Sequence, residues 1–185
     1  RIFSLQLATG TNDFDLLVIC DNAHPINFPS LNLNISVIRI EHQLKPSAIR
    51  QEGILHVINN NYRDLIFCDI DDYFSNNRIS STINELRKKD FVFNDINLIS
   101  KNGELIQENY LQKFFKNKEI QSYKQIIDYN NFGLTNTGIN LKTLKNFYIP
   151  RDIVATDWWI FTLLLLNGAT GKFLEGVHTF YRQHE

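Results

Sequence analysis

The chain contains no methionine, only two cysteines, four prolines and two tryptophans among its 185 residues. Two thiols, Cys20 and Cys68, cannot form a disulfide framework, and nothing resembles a secretory leader. Each cysteine closes an apolar run, so both read as buried, reduced thiols of a cytosolic protein. Charge of one sign is also lacking: 19 Lys and Arg stand against 20 Asp and Glu, a net charge of −1. No global field therefore draws the protein to nucleic acid or to an anionic membrane. Long apolar runs are missing too. The longest, Trp158 to Leu166, falls short of the roughly 20 residues that span a bilayer and reads as a buried helix.

What is present is material for a core. Hydrophobic residues make up 43% of the chain and charged residues 21%, which excludes wholesale disorder and suits a single domain of ordinary size. Ile2 to Leu7, Leu16 to Cys20, Ser36 to Ile40, Leu65 to Cys68 and Phe91 to Phe93 read as short buried strands. Pro46 to about Asn60, Ile79 to Lys89 and Val154 to Asn167 read as helices, the last with Thr156 as its N-cap. The polar stretch 101 to 130 reads as surface helix or loop. Lys172 to Leu174 and His178 to Tyr181 read as two final strands. Strand-helix alternation predicts an α/β fold with a mostly parallel sheet flanked by helices. Only eight residues separate Leu7 from Leu16, while a parallel crossover takes roughly a dozen. With the absent methionines, this leads us to expect that residues are missing from the sequence, near the N-terminal crossover and at the C-terminus.

Three segments carry chemistry. Leu65-Ile66-Phe67-Cys68 runs straight into Asp69-Ile70-Asp71-Asp72. Three carboxylates at the end of a buried strand repel one another unless a cation or a cluster of donors offsets them. Hard cations such as Mn²⁺ or Mg²⁺ prefer such oxygen ligands and bridge them to substrate phosphates. The plain alternative is an acidic turn capping the next helix. Ala155-Thr156-Asp157-Trp158-Trp159 places a carboxylate at a helix start, where the helix dipole alone favours one. The tryptophans beside it suit either a sugar site or core packing, and Asp157 there is a candidate base. Tyr181-Arg182-Gln183-His184 sets a histidine close behind an arginine. Such a histidine is usually structural, but the pair also suits metal and phosphate.

Taken in order, these segments resemble family 2 glycosyltransferases of the GT-A fold, from Leu16 to His184. Asp21 matches an acidic residue that follows the second strand. Ile49-Arg50-Gln51-Glu52-Gly53-Ile54 is similar to the Ala-Arg-Asn-x-Gly-Ile segment, with Gln51 in place of Asn. Asp69-Ile70-Asp71-Asp72 matches the Asp-x-Asp-Asp element, and Arg78 the arginine that follows it. Asn136-Thr137-Gly138 resembles the loop near the donor sugar. Asp157 stands at the catalytic base, with Thr156 where Glu is usual, and His184 at the closing histidine near the metal.

The resemblance implies a single GT-A-type, Rossmann-like domain over residues 1–185 and a nucleotide-sugar donor bound by Asp21, Arg50, Asp69, Arg78 and Asn136. It implies Mn²⁺ or Mg²⁺ on Asp71 and His184, with Asp157 deprotonating the acceptor hydroxyl of a glycan or lipid-linked acceptor. The reaction is then an inverting transfer in surface polysaccharide or glycan assembly. A cytoplasmic protein follows, working peripherally at the inner membrane face when the acceptor is lipid-linked. The strand-Asp-x-Asp pattern also resembles the nucleophile motif of haloacid-dehalogenase-type phosphatases, although Tyr73 replaces the usual Thr. A third reading is a GT-A-like domain that binds a sugar nucleotide without turnover.

Overall fold

The computed structural model describes residues 14–21, 33–40, 44–144 and 147–184. The segment from Ile2 to Leu7 lies outside them. Two six-residue strands, β1 (Leu16–Asp21) and β2 (Ile35–Ile40), pair in parallel from Leu16↔Ile35 to Asp21↔Ile40. Helix α1 (Pro46–Asn59) follows, opened by a proline in its first turn, where the missing N–H costs nothing. It packs closely on β1 through Gly53, where an added Cβ would lie 2.3 Å from Ile19 Cδ1.

The main sheet is built from β3 (Asp64–Ile66), β4 (Tyr73–Phe74), β5 (Phe91–Ile99), β6 (Leu105–Gln107), β7 (Glu119–Ile120), β8 (Thr137–Asn140) and β9 (Gly171–Arg182). Its order is β3-β8-β5-β9-β4, with β6 on β5 and β7 on β9. Between β4 and β5 lies α2 (Arg78–Leu86), and between β8 and β9 lies α3 (Thr156–Leu166). The sheet is mixed, which corrects the expectation of a mostly parallel one. Among the described strands only β5–β9 pairs in parallel within it, whereas β3–β8, β5–β8, β5–β6, β4–β9 and β7–β9 are antiparallel. Apolar runs report that a strand is buried but not which way it points.

Several element boundaries also differ. The 101–130 stretch, expected as surface helix or loop, is mostly exposed loop that also supplies β6, β7 and short 3-10 turns. The last two expected strands are one twelve-residue strand. Asn94 pairs with Leu174 but Asp95 with His178, so the intervening residues bulge outward. Gly176 sits in that bulge at φ 66°, a left-handed conformation that an L side chain resists. Helix α3 begins at Thr156 rather than using it as a cap. Ala155 is the N-cap, and the Thr156 hydroxyl is buried without a partner.

The core is aromatic. Phe91, Phe93, Phe115, Phe132, Phe161 and Phe173 interlock, with the rings of Phe93 and Phe132 4.4 Å apart and those of Phe91 and Phe161 5.2 Å apart. Such tilted and edge-to-face pairs add to the transfer free energy of burying each ring. On α2 the buried stripe is Arg78, Ile79, Thr82 and Leu86, a helical spacing that seats the helix on the sheet. Leu86 packs on Val92 of β5 and on Leu174 and Val177 of β9, while the first member of the stripe, Arg78, carries a charge inward. Among the described residues no helix is long and apolar enough to cross a membrane.

Candidate functional site

Strand β3 ends at Ile66, and the chain then turns through Phe67 to Asp72 before β4. The acidic residues therefore ride on a loop, not on the strand itself. The turn is closed by the Asp72 N–H donating to Asp69 O at 3.3 Å. Thr135 pins it from below. Its hydroxyl donates to Asp72 Oδ2 at 2.6 Å and accepts from the Asp69 N–H at 3.3 Å. The Arg182 N–H donates to Asp72 Oδ1 at 3.0 Å. Asp72 is thus 2% exposed, with both carboxylate oxygens bonded inside the protein. It anchors the loop, leaving Asp69 and Asp71 as the members that face outward.

Arg78 lies beneath this loop, fully buried. Its Nη2 donates to Phe67 O at 2.7 Å and to Thr135 O at 2.5 Å, and its Nε donates to Asn94 Oδ1 at 3.1 Å. The guanidinium also stacks over the Phe74 ring at 4.2 Å. Burial pushes its pKa down to about 10, partly offset by Cys68, Asp72 and Asp69. Arg78 therefore works as an internal brace and holds the loop through its carbonyls. Asn136 is equally buried. Its Nδ2 donates to Asn94 O at 2.8 Å, and its Oδ1 has no partner. Asn94 thus ties Arg78 and Asn136 together.

Asp71 and His184 stand 113 positions apart in the chain and meet at 2.5 Å between Oδ2 and Nε2. Arg182 supports the same place. Its Nε donates to Asp71 O at 3.0 Å, and its Nη1 to Ser100 O at 3.1 Å and Lys101 O at 2.6 Å. Among the described residues no group of three or more His, Cys, Asp and Glu side chains is placed to hold a metal ion. Asp71 and His184 form a pair rather than such a cluster.

The electrostatics of Asp69 show what converges on the loop. Burial raises its pKa, Arg50 on α1 lowers it, Asp71 raises it, Arg78 lowers it and Asp157 raises it. Arg50 and Asp157 therefore come within electrostatic reach of Asp69 from helices on different parts of the chain. Asp72 is also raised, first by burial, against the hydrogen bonds from Thr135 and Arg182.

Cys68 corrects an expectation. Cys20 is buried, but Cys68 is open to solvent beside the acidic loop. Enough protein still crowds its thiol that desolvation raises the pKa, so it stays protonated and inert near neutrality. Asp21 ends β1, and its side chain lies outside the described residues.

At α3, Asp157 Oδ1 accepts from the Trp158 N–H at 2.8 Å. Trp158 and Trp159 are half-buried against the core, and their indole N–H groups donate to Ile126 O and Tyr148 O, both at 2.9 Å. The two tryptophans therefore lock the helix start in place. Sequence reading missed Thr135 and Asn94. Neither carried a signal, because a threonine or asparagine acquires such a role only from what folds against it.

The architecture is a GT-A-like fold. Three solved structures carry the likeness. S. aureus TarS residues 1–349 in complex with UDP-GlcNAc aligns at TM-score 0.68 and 18% identity, covering 100% of this chain and 54% of that one. A second structure of S. aureus TarS aligns at TM-score 0.67 and 19% identity, over 97% of this chain and 33% of that one. GalNAc-T7 with UDP, GalNAc and Mn²⁺ aligns at TM-score 0.61 and 11% identity, over 83% of this chain and 33% of that one. The chain thus spans about half the length of the first and a third of the other two. No protein-family model and no curated protein matches the sequence.

Proposed function

We propose that the protein transfers a sugar from a nucleotide-diphosphate donor to an acceptor hydroxyl, with inversion at the anomeric carbon. The observation that carries the reading is the convergence of Asp69, Asp71, Arg50 and Asp157 on one braced loop of a GT-A-like fold. Similar structures bound to UDP-GlcNAc, or to UDP, GalNAc and Mn²⁺, support a uridine-type donor. Arg50 would meet the nucleotide, with Asp69 at the ribose.

In this reading Asp157 accepts the proton of the acceptor hydroxyl. The acceptor oxygen then bonds to the anomeric carbon as the bond from that carbon to the diphosphate oxygen breaks. The nucleoside diphosphate leaves with the electron pair. One base and one displacement invert the configuration. The donor set fits a small divalent cation, since Mn²⁺ or Mg²⁺ is commonly held by one or two protein groups plus substrate phosphates. Asp71 and His184 would hold it, and the cation would supply Lewis-acid stabilisation of diphosphate charge. The acceptor class is a glycan or lipid-linked sugar, with surface polysaccharide assembly as the setting.

The transferase reading is favoured over the phosphatase by the position of β3. It pairs antiparallel with β8 at the edge of the main sheet, an unusual seat for a phosphoryl-accepting aspartate. Incubation with a panel of sugar nucleotides and Mn²⁺ tests the proposal. Slow hydrolysis of one donor is expected. Phosphate release from simple phosphoesters would support the phosphatase instead, and donor-stabilised melting without turnover would support a binding module.

A further inference from the structure

Beyond the four acidic side chains and Arg182, β9 brings a further polar group to the loop. From His178 to Arg182 the strand pairs with β5 in unbroken register, so its side chains alternate strictly between faces. Thr179 points to the braced side: its hydroxyl accepts from Asn94 Nδ2 at 3.0 Å and lies 3.4 Å from Thr135 O. Tyr181, two residues on, projects from that same face toward the acidic loop. Arg182 projects from the other, its Nε donating to Asp71 O at the edge of the loop and its Nη1 to the carbonyls of Ser100 and Lys101. Tyr181 is 38% exposed, and its hydroxyl makes no hydrogen bond to the described residues.

We propose that Tyr181 is a further donor-binding residue of this site, its hydroxyl donating a hydrogen bond to the β-phosphate of the nucleotide. The inference rests on the sugar-nucleotide reading above. An anionic diphosphate brought to a cluster of carboxylates needs neutralising cations or hydrogen-bond donors. A phenol is a donor that no neighbouring aspartate ties up as a salt bridge. Burial and the charges of Asp72, Asp69, Asp71 and Asp157 all raise the Tyr181 pKa, so the group keeps its proton throughout the physiological range. Tyr73 is a contrast within the same region, since its ring lies 4.9 Å below the Arg182 guanidinium and is occupied by that contact.

Calorimetry with UDP, GDP, CDP and dTDP in the presence of Mn²⁺, and with the matching monophosphates, tests the assignment. The wild-type protein is expected to bind one diphosphate. Tyr181→Phe should weaken that diphosphate about tenfold, as loss of a hydrogen bond to a charged group does. It should leave the monophosphate affinity and the melting temperature unchanged, and Tyr73→Phe should match wild type throughout. Equal diphosphate affinity in Tyr181→Phe and wild type would overturn the role of Tyr181 alone. So would an equal loss for monophosphate and diphosphate, or a loss accompanied by a lowered melting temperature. A wild-type protein that binds none of the four diphosphates overturns the donor reading and this inference together.

Discussion

Arg78→Met asks how firmly the acidic loop depends on the brace below it. Methionine nearly matches the arginine stem in length and keeps contact with the Phe74 ring, so little cavity opens. What is lost is the set of donors to Phe67 O, Thr135 O and Asn94 Oδ1. Leaving a buried acceptor unpaired costs about 1–3 kcal/mol each, and costs within one network do not add fully. Part of the loss is offset. The Arg78 pKa of about 10 shows that desolvation outweighs the attraction of Cys68, Asp72 and Asp69, so removing the charge relieves some penalty. The net is about 2–4 kcal/mol of destabilisation. For a domain of this size that lowers the melting temperature by roughly 4–16 °C. Thermal unfolding followed by circular dichroism measures it. Arg78→Lys keeps the charge but lacks the planar fork, and should rescue less than half of the loss. A melting temperature for Arg78→Met within about 2 °C of wild type, on the same scale, would refute the brace. Full rescue by lysine would show that charge alone matters.

Asp157→Asn preserves the oxygen that accepts from the Trp158 N–H and should leave donor affinity and melting unchanged, while sugar transfer falls roughly 10²–10⁴-fold. Near-normal transfer would remove Asp157 from the mechanism. Asp71→Asn and His184→Ala should each weaken Mn²⁺-dependent nucleotide binding by about tenfold or more, read by calorimetry with and without chelator. Affinity that ignores both substitutions and the chelator would contradict a cation on this pair. Asp69 and Asp72 have folded pKa values above the ordinary 3.8, so the folded state binds their protons more tightly than the unfolded chain does. Their contribution to stability is fully present below pH 3.8 and is lost as pH rises through the raised folded values. Asp69→Asn should therefore melt higher than wild type at neutral pH, with the gap closing in acid. A gap that is constant across pH would show that Asp69 titrates normally.

How much of this was legible depended on the kind of information each feature needs. The apolar run before Asp69 and the helical stripe of α2 are local patterns, and they announced a strand and a helix, although the strand ends at Ile66 and not at Cys68. Strand direction is not local, so the mixed sheet escaped: β8 and β4 turn antiparallel because of where neighbouring segments lie, not because of their own composition. Likewise, two apolar runs around Glu175 and Gly176 looked like two strands, since a bulge within one strand interrupts the pattern just as a turn does.

The sequence by itself determined the candidate chemistry: three carboxylates in four residues, a carboxylate at the start of an apolar helix, and a terminal Arg-x-His. Side-chain type sets what a group can bind or exchange, and that is written in the residue. Only the tertiary structure decided which carboxylates are available. Asp72 lost both oxygens to Thr135 and Arg182, while Asp71 met His184 from 113 positions away. Arg78, read as a donor contact from the family resemblance, is a buried brace because α2 seats it under the loop. Availability depends on burial and on hydrogen-bond partners from distant segments, and both come into being only when the chain has folded.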